Sequence, residues 1–412
     1  MGINFNIVKK PKKDEEEELE EEIEVEQDDD DDSDTKSKGY DPKKKMIKFM
    51  GIIVVVMIVI LIILFIVSSL NNKKTNTYSY SEIESILEKA AKDYYKDNPS
   101  SLPQDDDYSV SITDTELAAA GKMNALSEYA TVDGVACTGS VTVQKEDDEY
   151  LYSPVLNCGD KYTSVLLSTK VISDNDVVSS GDGLYSRGGE YIFRGENVNN
   201  YVKLGKSLWR IVKIDTDESA VLINEEGAGY TTPWDDRYNE TKKYEAGINN
   251  YSVSRVKDYL DKVYKNPEVD QKQEILSKKD KTMLVTYDLC VGKKASDSED
   301  KKNTEECKQK MRDQKYGLLT LSDYLYASVD PNCKSAATKS CKNYNYLIIK
   351  GDWWLMTASS ENTYDVYAVK RTGMVEKVPA SNYALARPVI KLNSNVLFKS
   401  GKGTLEKPYK VK

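Results

Sequence analysis

The sequence predicts an α+β protein assembled in sections. These are a disordered acidic tail over 1–45, one transmembrane helix over 46–72, a small α/β unit over 78–170, a linker over 171–188 and an irregular α+β domain over 189–412. Three observations carry this reading: acidic charge is concentrated at one end, a single long apolar run follows it, and all six cysteines lie beyond that run.

The tail comes first. Residues 14–34, DEEEELEEEIEVEQDDDDDSD, contain no Lys or Arg. Residues 1–45 hold 9 Lys against 17 Asp and Glu, a net of −8 out of −10 for the whole chain. A run of like charge with so few apolar residues cannot bury enough surface to fold. It reads as a solubilising segment, or as a docking arm for a basic cytoplasmic partner. The rest of the chain is nearly neutral and has no basic stripe, so nucleic acid is not an expected partner.

From Phe49 to Leu70 no charged residue occurs. About 20 apolar residues suffice for a helix to span a bilayer, and no small-residue cleavage site follows. Lys43, Lys44, Lys45 and Lys48 precede the run, and Lys73 and Lys74 follow it. This bias predicts a cytoplasmic N-terminus and an extracellular C-terminal bulk at the cell membrane.

Cys137, Cys158, Cys290, Cys307, Cys333 and Cys341 all follow the span, and an even set on one side suits an oxidising exterior. In ACTGSVTVQKEDDEYLYSPVLNCG, a hairpin folded about Asp147 and Asp148 sets Val143 opposite Tyr152 and Cys137 opposite Cys158. Nearness in sequence suggests Cys290–Cys307 and Cys333–Cys341.

In the small unit, Tyr80 to Asp97 reads as a helix with Ile83, Ile86, Leu87, Ala90 and Ala91 on one face. Thr113 and Glu116 have capping-box spacing for a short second helix, and Gly121 stops it. A helix leading into a small sheet beside an apolar span resembles the head of pilin-like surface proteins of Gram-positive bacteria. Residues 171–188, VISDNDVVSSGDGLYSRG, are rich in Ser, Asp and Gly and read as the linker. A calcium loop is the alternative there, but the acidic spacing does not match an EF-hand.

In 189–412, Ser207–Ile214 and Ser219–Ile223 read as strands around a DTDE turn. Ser252–Val263 reads as a helix burying Val253, Val256, Leu260 and Val263, and Thr320–Ser328 as a second, short one. Trp353–Thr357, Tyr364–Lys370, Met374–Val378 and Ala386–Leu392 read as strands. Neighbours on a strand point to opposite faces. Trp353 and Trp354 therefore cannot both anchor one core layer. Either both are structural under two layers, or one faces a ligand.

The block series YIFRGENVNNYV, LWRIV, GLLTLSDYLYAS, WWLMTAS, VYAV with TG, and ALARPVIKL resembles a domain of Gram-positive bacterial surface proteins. That domain is similar to the C-type-lectin-like fold, also used by formylglycine-generating enzymes. The resemblance covers most of 189–412 and implies a loop face that varies between members. It places Arg387 and Pro388 in a core strand, and Arg387 and Arg194 read as structural, bonding to backbone or a fixed acid, with a substrate clamp as the alternative. The Glu-Pro-Asn and Gln-Pro-Asp triplets of calcium-dependent sugar lectins do not occur in the chain.

Candidate ligand-binding residues are Trp234, Asp235, Asp236, Trp354, Tyr364 and Tyr383. Trp234 beside two carboxylates suits sugar stacking or a cation, and a plain surface turn is the alternative. The chain has no His, which removes Ser–His and Cys–His nucleophile pairs and mixed Cys/His zinc sites. Ser254 and Lys257 match S-x-x-K, but the S-D-N match at Ser173 precedes them, the reverse of the order in penicillin-binding enzymes. The expected function is therefore adhesion or recognition of an extracellular glycan, cell-wall polymer or protein, without catalysis, cofactor or metal. An enzyme on the same scaffold and a structural subunit of a surface assembly are the alternatives.

Overall fold

The computed structural model describes residues 56–63, 77–105, 108–146, 149–227, 230–265 and 276–412. The chain divides into two compact units, Met1–Lys74 and Thr75–Lys412. The fold is mixed, with seven helices and many strands among the described residues.

The expected fold class needs correction in the first unit. Among the described residues no helix is long and apolar enough to cross a membrane. The described part of the apolar run, residues 56–63, is helical. The remainder of the expected span over 46–72, and the whole acidic tail over 1–45, lie outside the described residues.

The second unit begins with a helix, Tyr80–Asp97, started by a capping box in which Ser79 and Glu82 bond reciprocally. It buries Ile83, Leu87, Ala90, Ala91 and Tyr95. Its partner is an antiparallel sheet of Ser109–Thr113, Thr138–Glu146 and Glu149–Asn157. Val143 pairs with Tyr152, the register expected from the sequence. The turn residues Asp147 and Asp148 lie outside the described residues. The second capping box starts helix Asp114–Ala119, and Gly121 follows it at φ +66°.

The stretch expected as a linker is packed into the body of the protein. Helix Leu167–Asp174 and strand Gly183–Arg187 run through it, and Val171 and Leu184 are fully buried. Backbone bonds from Leu167 to Val396 and from Phe398 to Val165 fasten the helical segment to the C-terminal strands. Lys412 forms an ion pair with the buried Glu84 of the first helix.

Two larger sheets make the main core. One follows the order Leu284–Val285, Val389–Leu392, Ala220–Asn224, Ser207–Ile214, Tyr201–Leu204, Tyr409–Val411, Phe398–Ser400, with the hairpin Gly183–Arg187/Glu190–Arg194 joined to Ser207–Ile214. The other follows the order Thr231–Pro233, Tyr383–Leu385, Trp353–Ala358, Asp365–Val369, Val375–Pro379. Every residue of Trp353–Ala358 and of Ala220–Asn224 is buried. Such strands are covered on both faces, so their apolar runs do not alternate. Helix Arg255–Lys265 starts later than the periodicity suggests. Val253 falls in the preceding 3₁₀ turn and is 50% exposed, while Val256 and Leu260 are buried.

Candidate functional site

Residues expected to meet a ligand separate into two groups. Trp234 and Trp354 are fully buried. The indole of Trp234 donates to Leu355 O at 3.0 Å and packs edge-on against Tyr251. That of Trp354 donates to Thr232 O at 2.7 Å. Trp353 is fully buried too, between the Arg387 guanidinium, 4.7 Å from its ring centroid, and Tyr324. A ligand-facing role for Trp234 and Trp354 is thereby corrected: both rings are enclosed and their polar atoms are satisfied within the fold.

Asp235 is fully buried as well and leaves no carboxylate for a cation from solution. It accepts from Ile248 N at 2.9 Å and is gripped by the guanidinium of Arg237. Asp236 is exposed and pairs with Arg255 at 3.2 Å. Tyr364 is half-buried with the Lys242 ammonium 4.4 Å from its ring centroid. Tyr383 is 69% exposed on a strand paired with Pro233.

These outer residues sit on loops that buried side chains hold together. Asn249 donates to three carbonyls of the 359–365 loop, Ser359 O at 3.1 Å, Asn362 O at 3.0 Å and Asp365 O at 2.8 Å. Its own carbonyl accepts from Lys293 at 2.6 Å. Asn239 bonds Gly247 O at 2.8 Å and Thr363 O at 3.2 Å. Asp235 N donates to Ala380 O at 3.0 Å, which brings in the turn before Tyr383. Gly247 is required here: its φ is +84°, and a Cβ would lie 2.1 Å from Asp235 O. Exposed on this frame are Tyr238, Tyr244 and Tyr383. Phenol rings on such a frame offer a flat apolar face and a hydroxyl at low entropic cost.

Arg194 and Arg387 act on backbone. Arg194 donates to Tyr326 O at 2.6 Å and Ser328 O at 2.8 Å; Arg387 donates to Asn224 O at 2.9 Å and Leu347 O at 2.7 Å. Burial pushes the Arg387 guanidinium down to about 10, with Glu225 pulling the other way.

Two polar clusters escaped the sequence reading. The first is a cavity of about 270 Å³ beside helix Leu321–Ala327, walled by Leu289, Leu318, Met356 and Val389 and edged by Lys213, Asp215, Asp323 and Lys391. Lys213 reaches Glu190 and Asp215, each at 2.6 Å, and Lys391 reaches Asp215 and Asp217, each at 2.9 Å. Burial alone would lower Lys213; Asp215 and Asp323 outweigh it and hold it raised. Burial works against the Asp215 charge in the same way, and Lys213 and Lys391 keep its carboxyl below the ordinary value. Burial pushes the Tyr287 hydroxyl well up. The available signal was a Lys inside two strand-like apolar runs, LWRIVKI and RPVIKL.

The second is a fully buried set of Lys294, Glu306, Ser322 and Thr357. Lys294 donates to Ser322 Oγ at 2.6 Å and lies 3.7 Å from Glu306. Glu306 accepts from Ser322 N at 3.1 Å and Thr357 Oγ1 at 3.3 Å. Burial raises the Glu306 carboxyl, and Lys294 only partly offsets it. Ser254, of the S-x-x-K match, is buried and donates to Tyr251 O at 2.9 Å.

Three disulfides complete the frame: Cys137–Cys158, Cys290–Cys307 and Cys333–Cys341. These are the pairs expected from the sequence. No family model, no curated protein and no solved structure matches the chain.

Proposed function

We propose that the Thr75–Lys412 unit is an extracellular recognition module that binds a glycan or cell-wall polysaccharide through its tyrosine-bearing loops. The observation behind this reading is the exposure of Tyr238 and Tyr244 on a loop, and of Tyr383 at the start of an adjoining strand, on a frame held from beneath by Asn239, Asn249 and Asp235. Three disulfides in the same unit suit an oxidising exterior. Binding is preferred to catalysis because the serine–lysine contact in this fold, Ser322 with Lys294, is enclosed on all sides.

The test is a glycan array and a cell-wall polysaccharide pull-down with the oxidised protein, beside the triple variant Tyr238→Ala, Tyr244→Ala, Tyr383→Ala. Aromatic contacts contribute about 0.5–1.5 kcal/mol each, so the triple variant loses at least about tenfold in affinity. Binding that survives the triple substitution removes the tyrosine face from consideration. Capture of a protein with no polysaccharide bound redirects the reading to a protein ligand.

A further inference from the structure

We propose that the cavity beside helix Leu321–Ala327 binds a small primary ammonium compound with an apolar body, its cation held by Asp323. The charges around the cavity pair off with one exception. Arg187, Lys213 and Lys391 alternate with Glu190, Asp215 and Asp217 in one chain of ion pairs, which is neutral in sum. Both lysines are held by two carboxylates each and are not free to receive an anion. Asp288 at the rim pairs with Lys310 at 3.6 Å. Asp323 has no ion pair among the described residues, and its charge acts on Lys213 only at longer range.

Asp323 is held in place by neutral donors. Asn303 Nδ2 donates to one oxygen at 2.8 Å and Thr320 Oγ1 to the other at 2.6 Å. Each carboxylate oxygen keeps a second acceptor site. Asn303 itself sits in the left-handed region at φ 59°, an uncommon conformation that Asn tolerates better than most residues. A single carboxylate falls short of the ligand set a divalent ion requires, and no acidic group of metal-binding size occurs among the described residues. An ammonium needs one charge and a few acceptors, which this cavity has. Its apolar wall then takes a hydrocarbon body. The space of about 270 Å³ corresponds to roughly nine waters, the scale of a short alkylamine.

The experiment is calorimetric titration of the full chain with n-hexylammonium, hexan-1-ol and hexanoate. Saturable one-to-one binding of hexylammonium is expected, with hexan-1-ol weaker by at least about tenfold and hexanoate silent. Asp323→Asn reduces hexylammonium affinity by a similar factor, with near-UV circular dichroism confirming the fold. Should that variant not fold, the ranking of the three probes on the unaltered chain decides alone. The triple tyrosine variant of the loop face leaves hexylammonium binding unchanged. Absence of saturable heat, equal affinity for the alcohol, or loss of binding in the tyrosine variant overturns the proposal.

Discussion

Replacing Lys294 by Met is the sharpest test of the core as described. Lys294 and Glu306 are both fully buried, and the Met side chain nearly matches the lysine stem in volume. What changes is that Glu306 loses its cation. Breaking a buried pair from one side costs about 3–5 kcal/mol. For a unit running from Thr75 to Lys412 the unfolding entropy is roughly 0.7 kcal/mol/K, so the melting temperature falls by about 4–7 °C. The deficit depends on pH with a definite sign. Burial already holds the Glu306 carboxyl above its ordinary value, and removal of Lys294 raises it further. A carboxyl raised in the folded state costs stability as pH climbs from its unfolded value, about 4.3, to its folded one. The deficit is therefore smaller near about pH 4.5 than at about pH 7. Adding Glu306→Gln to Lys294→Met removes the stranded charge and restores most of the loss. Differential scanning calorimetry of the single and double variants at both pH values measures this. A single variant within about 1 °C of wild type at the higher pH, or a deficit indifferent to pH, would refute the reasoning.

Two further outcomes follow from the loops. Gly247→Ala forces a Cβ against Asp235 O and Ala380 at φ +84°; it releases the loop that carries Tyr238 and Tyr244, visible as new protease cleavage between residues 236 and 250 with the core amides still protected from hydrogen exchange. Glu361 is drawn down to about 2, first by Lys377 and then by Ser296. A depressed carboxyl contributes above its unfolded value and loses that contribution as pH falls through the folded one. Exchange of the Ser296 amide therefore accelerates, relative to its intrinsic rate, as pH drops from about 4.5 towards 2; an unchanged protection factor over that range removes the ion pair from the account of this loop.

Local signals were readable in the sequence and distant ones were not. Helix Tyr80–Asp97 begins and ends as expected because its apolar period is written within the segment itself. The hairpin register from Val143 to Tyr152 came from symmetry about a short turn, and the same symmetry gave Cys137–Cys158. Trp353 and Trp354 were harder. Alternation on one strand says that they point apart, but whether the second side meets solvent or another layer depends on chain more than a hundred residues away, as the Trp354 bond to Thr232 illustrates. The same limit hid the cavity. Lys213 and Lys391 belong to strands separated by Ala220–Asn224, and only the sheet order brings both to Asp215. Asp235 misled because a carboxylate next to a Trp looks like a binding pair until its Arg237 clamp is seen.

The disulfides also bear on how this chain acquires its structure. They close segments of 21, 17 and 8 residues, and the three segments neither overlap nor nest. Each can form once its own stretch has emerged, in the order of synthesis, without waiting for any distant contact. The central pairing of Ala220–Asn224 with Val389–Leu392 must wait for the end of the chain, and such non-local pairing is the slow part of folding. A chain whose cross-links are local enters that wait with its loops already closed and its thiols already spent. Separate, short segments thus leave each pair free to close without reference to the other two, which lowers the demand for reshuffling among mispaired cysteines.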